Sequence, residues 1–168
     1  PALKGLFPDD DDRKELVRHL MEAIASTALS HSRVIGAFHD DCLVGVAIWL
    51  PPGHSVDEKL GHFGRFVWSL LVTAPQRIFK VLSSNEVLDA FHQKNADCWY
   101  LVGLAVDPDW HQRGIGGRLL RDSLAFVDAD QRPAYLETGK PENISYYQRF
   151  GFRAIERREL FRAGPPVW

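Results

Sequence analysis

The chain has 168 residues, of which 45% are hydrophobic, 25% are charged and 11% are aromatic. This length suits one globular domain with a sizeable core, and the composition excludes a disordered or fibrous protein. The formal net charge is −2, so no positive field would attract a nucleic-acid backbone. We therefore expect a single domain over residues 1–168 that has no nucleic-acid partner.

Cysteine content and hydropathy indicate in which cellular compartment the protein is expected. Cys42 and Cys98 are too few for a disulfide framework, and they form no Cys-x-x-Cys pair. The longest apolar runs, such as Leu43 to Leu50, are too short to span a bilayer, and no signal-peptide pattern is visible. The sequence thus predicts a cytoplasmic protein without a membrane partner.

The first half of the chain predicts a helix, a hairpin and a helical insert. Apolar residues recur at helical spacing from Leu16 to Ala28, behind an acidic run that suits a helix N-terminus. Val34 to Phe38 and Leu43 to Leu50 read as two strands joined by a short polar turn. Residues 60–91 read as a helical insert that is interrupted at Pro75.

The second half alternates strands and helices, which makes the whole chain a mixed α/β domain. The predicted elements are a strand at Trp99–Val106, a helix that follows Gly117 and breaks at Arg132-Pro133, a strand at Ala134–Thr138, a helix at Pro141–Phe150 and a strand at Phe152–Phe161. Pro141 suits the first turn of its helix, and Gly151 stands in the usual terminating position.

A glycine-rich turn, His111-Gln112-Arg113-Gly114-Ile115-Gly116-Gly117, stands between the strand and the helix. The first amides of a helix point outward without an intrahelical acceptor, and the helix dipole adds positive potential there. Glycines let the backbone approach a phosphate closely, and Arg113 can add a charged donor. Residues 113–117 are therefore predicted to hold a phosphate or pyrophosphate.

Two common phosphate motifs do not fit this turn. A dinucleotide fingerprint requires a glycine where Leu119 stands, and no Gly-x-x-x-x-Gly-Lys-Ser/Thr run exists for a P-loop.

The turn and a later segment together resemble the GCN5-related N-acetyltransferases. Leu104 to Pro108 followed by His111-x-x-Gly114-x-Gly116 is similar to that family's coenzyme A loop. Asn143, then Tyr147, then Gly151-Phe152 is similar to the family's later Asn…Tyr…Gly-Phe segment. The resemblance covers Trp99 to Leu160, and more loosely Val34 to Leu50.

In layout the chain looks most like the puromycin N-acetyltransferase branch. The segment 135–138 with the Asn143…Phe152 segment, the Trp49-Leu50-Pro51-Pro52 strand end and the helical insert all correspond to that branch. There are two departures. His111 stands where the family usually has Gln or Arg. The chain also begins near its first clear helix and ends where a final strand would be expected to continue, so its ends are either trimmed or unusual.

The resemblance implies a fold, a co-substrate and a binding set. The fold is a mixed, mostly antiparallel central sheet flanked by helices, with the helical insert between the early hairpin and the central strand. Acetyl-coenzyme A is the co-substrate, and no metal is implied. The implied binding residues are Leu104, Ala105, Val106, His111, Gln112, Arg113, Gly114, Ile115, Gly116, Gly117, Asn143 and Tyr147.

Direct attack of an amine on the thioester requires an acid and a base. By motif position Tyr147 is the general acid that protonates the leaving thiolate, and Asn143 either contacts the coenzyme or only begins its helix. Glu137 is the candidate base, although it could instead bind a cationic acceptor or be a plain surface charge. His54 and His62 are weaker candidates.

The leading function is therefore transfer of acetyl to the primary amine of a small molecule, through a ternary complex. One alternative is a non-catalytic acyl-coenzyme A-binding or sensor domain. Another is a protein N-acetyltransferase, whose open peptide groove the helical insert would obstruct. The oligomeric state stays open, with a homodimer among the possibilities.

Overall fold

The computed structural model describes residues 32–54 and 78–168. These residues belong to two compact units. We call residues 32–54 and 96–136 the four-strand unit, and residues 78–95 and 137–168 the two-strand unit. The predicted first helix, the first part of the insert with Pro75, and His62 lie outside the described residues.

The predicted hairpin is confirmed. Strand β1 (Arg33–His39) pairs antiparallel with β2 (Cys42–Leu50), and Asp40 in the turn adopts a φ of 48°, a left-handed conformation that Asp tolerates better than most residues. β2 is the more buried strand, with Val44, Ala47 and Trp49 in the core.

The central strand β3 (Trp99–Val106) has the predicted bounds and pairs antiparallel with β2 from Tyr100 to Val106, with one irregularity in the register. The next strand, β4 (Ala134–Tyr135), is parallel to β3 and pairs only with its first two residues. The sequence prediction made β4 too long. Thr138 instead exchanges two backbone hydrogen bonds with Trp168, at 2.9 and 3.0 Å, within the two-strand unit.

Helix α2 (Ile115–Ala129) packs on the four-stranded sheet, which has the order β1-β2-β3-β4. Its inner face buries apolar residues at helical spacing, and its Phe126 ring contacts Trp49 and Trp99 edge-on, with centroids 6.1 and 5.1 Å apart. The buried residues of α2 are Leu119, Leu120, Ser123 and Val127. Burial of each large apolar side chain contributes about 2 kcal/mol, so this face holds α2 firmly on the sheet.

The two-strand unit contains α1 (Ile78–Lys94), α3 (Pro141–Gln148), β5 (Arg158–Glu159) and β6 (Pro166–Val167). α1 confirms the second part of the helical insert. Gly151 has a φ of 90° just after α3, as expected of a residue that terminates a helix. This unit has a small hydrophobic core, which consists of Phe91, Leu160 and Val167.

The predicted strand from Phe152 to Phe161 is wrong. Only Arg158–Glu159 is a strand there, and it pairs with β6. Residues 153–155 are exposed, Ile155 to 77%, so the first part of this segment has no buried face that would favour a longer ladder. The fold class itself, a mixed domain with a mainly antiparallel sheet, is confirmed.

Gly45 permits the close approach of α2 to β2, and this approach can be tested. A Cβ on Gly45 would lie 3.1 Å from Ile115 Cγ2 and 3.1 Å from Leu119 Cδ1. We expect Gly45→Ala to lower the free energy of unfolding by about 1 kcal/mol through overpacking. Gly103→Ala is the matched control on β3, because a Cβ there meets nothing within 4 Å. Urea unfolding of both variants measures the difference, and equal stabilities would contradict the close-approach argument.

Candidate active site

The chain turns from β3 into α2 through two left-handed residues. A short 3-10 turn (Pro108–Trp110) follows β3, with Asp107 Oδ1 accepting a hydrogen bond from Asp109 N at 2.9 Å. Gln112 then has a φ of 60° and Gly114 a φ of 77°. Gly114 is the N-cap of α2 and offers no side chain to its amides. The turn is therefore shaped by backbone conformations that favour glycine.

The N-terminus of α2 presents its first amides outward. The bond from Arg118 N to Gly114 O, at 3.0 Å, is the first i to i−4 bond of the helix. The amides of Ile115, Gly116 and Gly117 precede it and have no acceptor within the helix. Two of these three residues are glycines, so little side-chain bulk covers the positive end of the helix dipole. This arrangement suits a phosphate group, as the sequence predicted.

The end of β3 has one side that β4 does not cover. Asp107 N donates to Val44 O across the sheet at 2.9 Å. Backbone groups alternate along a strand, so those of Ala105 also face β2, while those of Leu104 and Val106 face the opposite side. In the part of the chain that the structure describes, β4 pairs on that side only with Trp99 and Tyr100. Leu104 and Val106 therefore direct backbone groups toward the side that β4 leaves open.

His111 ties the turn to this strand end. Its Nε2 lies 2.9 Å from Val106 O. A carbonyl oxygen can only accept, so Nε2 carries the proton and donates it. The imidazole therefore donates a hydrogen bond to the carbonyl oxygen of Val106. The contact between His111 and a coenzyme phosphate stays a prediction.

Arg113 also makes a contact within the turn. Its guanidinium lies 4.4 Å from the centroid of the Trp110 ring, a cation–π distance, and Trp110 contacts the His39 ring at 4.3 Å. Arg113 is exposed, and its contact with the coenzyme phosphates stays a prediction.

The remaining predicted residues lie in the two-strand unit. Asn143 Nδ2 donates to Thr138 Oγ1 at 3.0 Å, and the Lys140 amide donates to the same oxygen at 3.3 Å. Asn143 therefore connects the first turn of α3 to Thr138. This is consistent with a role at the start of the helix, the alternative that the sequence left open. Its contact with the coenzyme stays a prediction.

Tyr147 lies half-buried on α3. Its ring contacts the Phe152 ring at 6.0 Å and the Tyr146 ring at 5.2 Å. Burial, and secondarily Tyr146, raise the pKa of the Tyr147 phenol above its ordinary value. The hydroxyl therefore stays protonated at neutral pH, which a general acid requires.

Glu137 lies beside a histidine that sequence reasoning did not connect with it. Glu137 Oε1 is 3.4 Å from Nε2 of His92, and the two side chains are 10% and 19% exposed. No local pattern could reveal this pair, because the two residues belong to segments that are distant in sequence. His54 is exposed, with Nδ1 3.2 Å from Pro52 O.

Cys98 does not have the environment of a nucleophile. Burial, and then the neighbouring Asp97 carboxylate, raise the pKa of its thiol, so the thiolate is disfavoured. Across residues 32–54 and 78–168, no three His, Cys, Asp or Glu side chains group in a way that could hold a metal. Among the helices of these same ranges, none is long and apolar enough to cross a membrane.

A model of the acetyltransferase (GNAT) family matches residues 4–152. The chain belongs to this family. It is accordingly an acetyl-coenzyme A-dependent acetyltransferase, and the resemblance noted in the sequence is confirmed together with its co-substrate.

Two solved structures share the fold of this acetyltransferase. The aminoglycoside N-acetyltransferase AAC(6')-Iy in complex with CoA is 18% identical, with a TM-score of 0.50, over 91% of this chain and 91% of that one. A GNAT-family protein from Desulfovibrio desulfuricans is 21% identical, with a TM-score of 0.50, over 94% of this chain and 76% of that one. The puromycin-like branch, the single domain over residues 1–168 and a cytoplasmic location stay predictions.

A carboxylate at the N-terminus of α2 would test whether the coenzyme phosphates bind there. We expect Gly116→Asp to weaken acetyl-coenzyme A binding at least tenfold, because the new charge repels the phosphates. The fold should survive, since a negative charge near a helix N-terminus is favourable.

Ala125→Asp is the matched control, because it adds the same charge at an exposed position farther along α2. Calorimetric titration with acetyl-coenzyme A measures both affinities. Equal affinities for the two variants would contradict the assignment of the turn.

Proposed function

We propose that this acetyltransferase transfers acetyl to the primary amine of a small molecule, by direct attack within a ternary complex. The observation that carries the proposal is the end of β3, which β4 leaves open on one side and which is followed, after residues 107–114, by the N-terminus of α2. The first offers backbone donors for a thioester carbonyl and the second offers amides for a pyrophosphate. The helical insert before β3 favours a small acceptor over an extended peptide.

Binding is assigned mainly to the backbone. The amides at residues 115–117 would hold the pyrophosphate, with Arg113 adding charge. The amides of Leu104 and Val106 would bind the pantetheine arm and the acetyl carbonyl. Because His111 already donates to Val106 O, the backbone at this position would serve the coenzyme chiefly as a donor. Gln112 and Gly114 would shape the turn. Ala105 would hold the end of β3 against β2.

The chemical step is assigned to two side chains. The amine nitrogen forms a bond to the acetyl carbon, and the carbonyl oxygen takes negative charge that a backbone amide stabilises. Glu137 accepts a proton from the attacking amine. The carbon–sulfur bond then breaks, and Tyr147 gives its phenolic proton to the departing thiolate. The half-buried Tyr147 and the mostly buried Glu137 favour this reading over a non-catalytic sensor domain.

The experiment that tests the proposal combines thermal unfolding with thiol release. Acetyl-coenzyme A binds only the folded protein, so it must raise the unfolding midpoint. Thiol release is then followed with aminoglycosides, aminonucleosides, polyamines and peptides that carry a free amine. Release with a small amine supports the proposal. Release with peptides alone would identify a protein N-acetyltransferase, and a raised midpoint without any release would identify a non-catalytic binder.

The role of Tyr147 generates a separate prediction. We expect Tyr147→Phe to lower kcat by about 10²-fold or more while leaving acetyl-coenzyme A affinity nearly unchanged, because only proton donation is lost. Tyr146→Phe removes the same atom from the adjacent residue and should keep kcat close to that of the wild type.

The raised pKa of Tyr147 also predicts how kcat depends on pH. Because burial, and secondarily Tyr146, raise the pKa of the Tyr147 phenol above its ordinary value, the phenol stays protonated between pH 7 and 9, and its ionisation should not reduce kcat in that range. Equal kcat values for the two phenylalanine variants would remove Tyr147 from the mechanism.

A further inference from the structure

A tight turn brings His111 back to the end of β3. His111 follows the 3-10 turn as its C-cap residue, and its own amide donates to Pro108 O at 3.2 Å. Trp110 N closes the same turn with a bond to Asp107 O at 2.9 Å, and Pro108 has a fixed φ. These local constraints hold the backbone of His111 near Val106. The side chain therefore gives up little further freedom when it binds the strand end.

The peptide group between Val106 and Asp107 is hydrogen-bonded at both of its ends. The Asp107 amide donates to Val44 O at 2.9 Å, and the Val106 carbonyl accepts from His111 Nε2 at 2.9 Å. A trans peptide group is planar, with its C=O and N–H directed oppositely, so bonds on both sides restrain it more than one bond does. Within the described ranges, β4 pairs only with the first two residues of β3, so no strand supplies this second bond. His111 supplies it instead.

The same bond changes the electrostatic character of the strand end. On the open side of β3, the amide of Val106 presents the positive end of a dipole, and the carbonyl of Val106 presents a negative end. A thioester oxygen that gains negative charge is stabilised by such an amide and repelled by such a carbonyl. The proton on His111 Nε2 lies against the carbonyl oxygen and offsets its negative potential. The last residue of β3 thus offers a donor without a competing bare carbonyl.

We propose that His111 is a positioning residue for the amide of Val106. Its Nε2–H holds the Val106 carbonyl, so that the end of β3 keeps one orientation and the amide donates to the thioester oxygen. As the amine nitrogen bonds to the acetyl carbon, the π electrons of that carbonyl move to its oxygen, where the amide stabilises the charge. His111 gives up no proton in this step. The inference rests on the proposed function, which gives the amides of Leu104 and Val106 to the co-substrate.

Two substitutions of His111 separate this role from a contact with the coenzyme phosphates. Gln carries an amide N–H that can donate to Val106 O, whereas Leu has no donor. We expect His111→Leu to lower kcat by about 10-fold or more, since misplacement of a catalytic group costs up to about 10²-fold, while the affinity for coenzyme A stays nearly unchanged. His111→Gln should recover most of kcat. Gln93→Leu, at an exposed position on α1, is the control and should turn over like the wild type.

Two kinetic outcomes would overturn the proposal. An unchanged kcat with a weakened affinity for coenzyme A in His111→Leu would identify a phosphate contact. Equal losses of kcat in the Leu and Gln variants would show that the donor itself is not what matters.

Nuclear magnetic resonance tests the hydrogen bond without any turnover. When the imidazole is neutral, the nitrogen chemical shifts distinguish the protonated ring nitrogen from the other one. We expect the proton on Nε2 of His111, and faster hydrogen exchange of the Asp107 amide in His111→Leu than in His111→Gln. A proton on Nδ1, or equal exchange in the two variants, would contradict the inference. A wild type that releases no thiol with any amine would instead defeat the proposed function, so the two failures are distinguishable.

Discussion

The rest of the site depends on the unequal pairing of β3. Its backbone pairs with β2 from Tyr100 to Val106, with one irregularity, but β4 accompanies it for only two residues. Backbone N–H and C=O groups require partners, so the open side of the strand must be satisfied by something else. His111 satisfies the carbonyl of Val106, which is the last residue of the strand. The amides of Leu104 and Val106 are the groups that the proposed function gives to the co-substrate.

The same strand determines where the helix begins. α2 starts a few residues after β3 and is held on the sheet by its buried face, with Gly45 allowing the close contact at its first turns. Because the core fixes the helix, the positive end of its dipole has a fixed position relative to the end of β3. A phosphate at this end of the helix would be held chiefly by backbone amides in fixed positions, which need little reorganisation when it binds.

The sequence predicted these backbone features well, because each has a local cause. Alternation and apolar runs predicted β2 and β3, and glycine spacing predicted the turn. β4 and the strand after Phe152 were predicted too long, since strand length depends on which partner is available, and a sequence pattern does not contain that information. The bonds of His111 to Val106 and of Asn143 to Thr138 also depend on folding. A motif position names such residues, but the structure determines what they contact.

Proton transfer is a harder problem for sequence reasoning than phosphate binding, and the two candidate groups show why. The helix dipole and outward amides exist in any helix that begins on glycines, whatever surrounds it. The acidity of a side chain, in contrast, is set by burial and by neighbours from distant segments. Burial raises the pKa of the Tyr147 phenol further above its ordinary value, and that suits a proton donor. The neighbourhood of Glu137 is equally beyond the reach of a local pattern, because Glu137 Oε1 and His92 Nε2, 3.4 Å apart, come from segments that only the tertiary structure brings together.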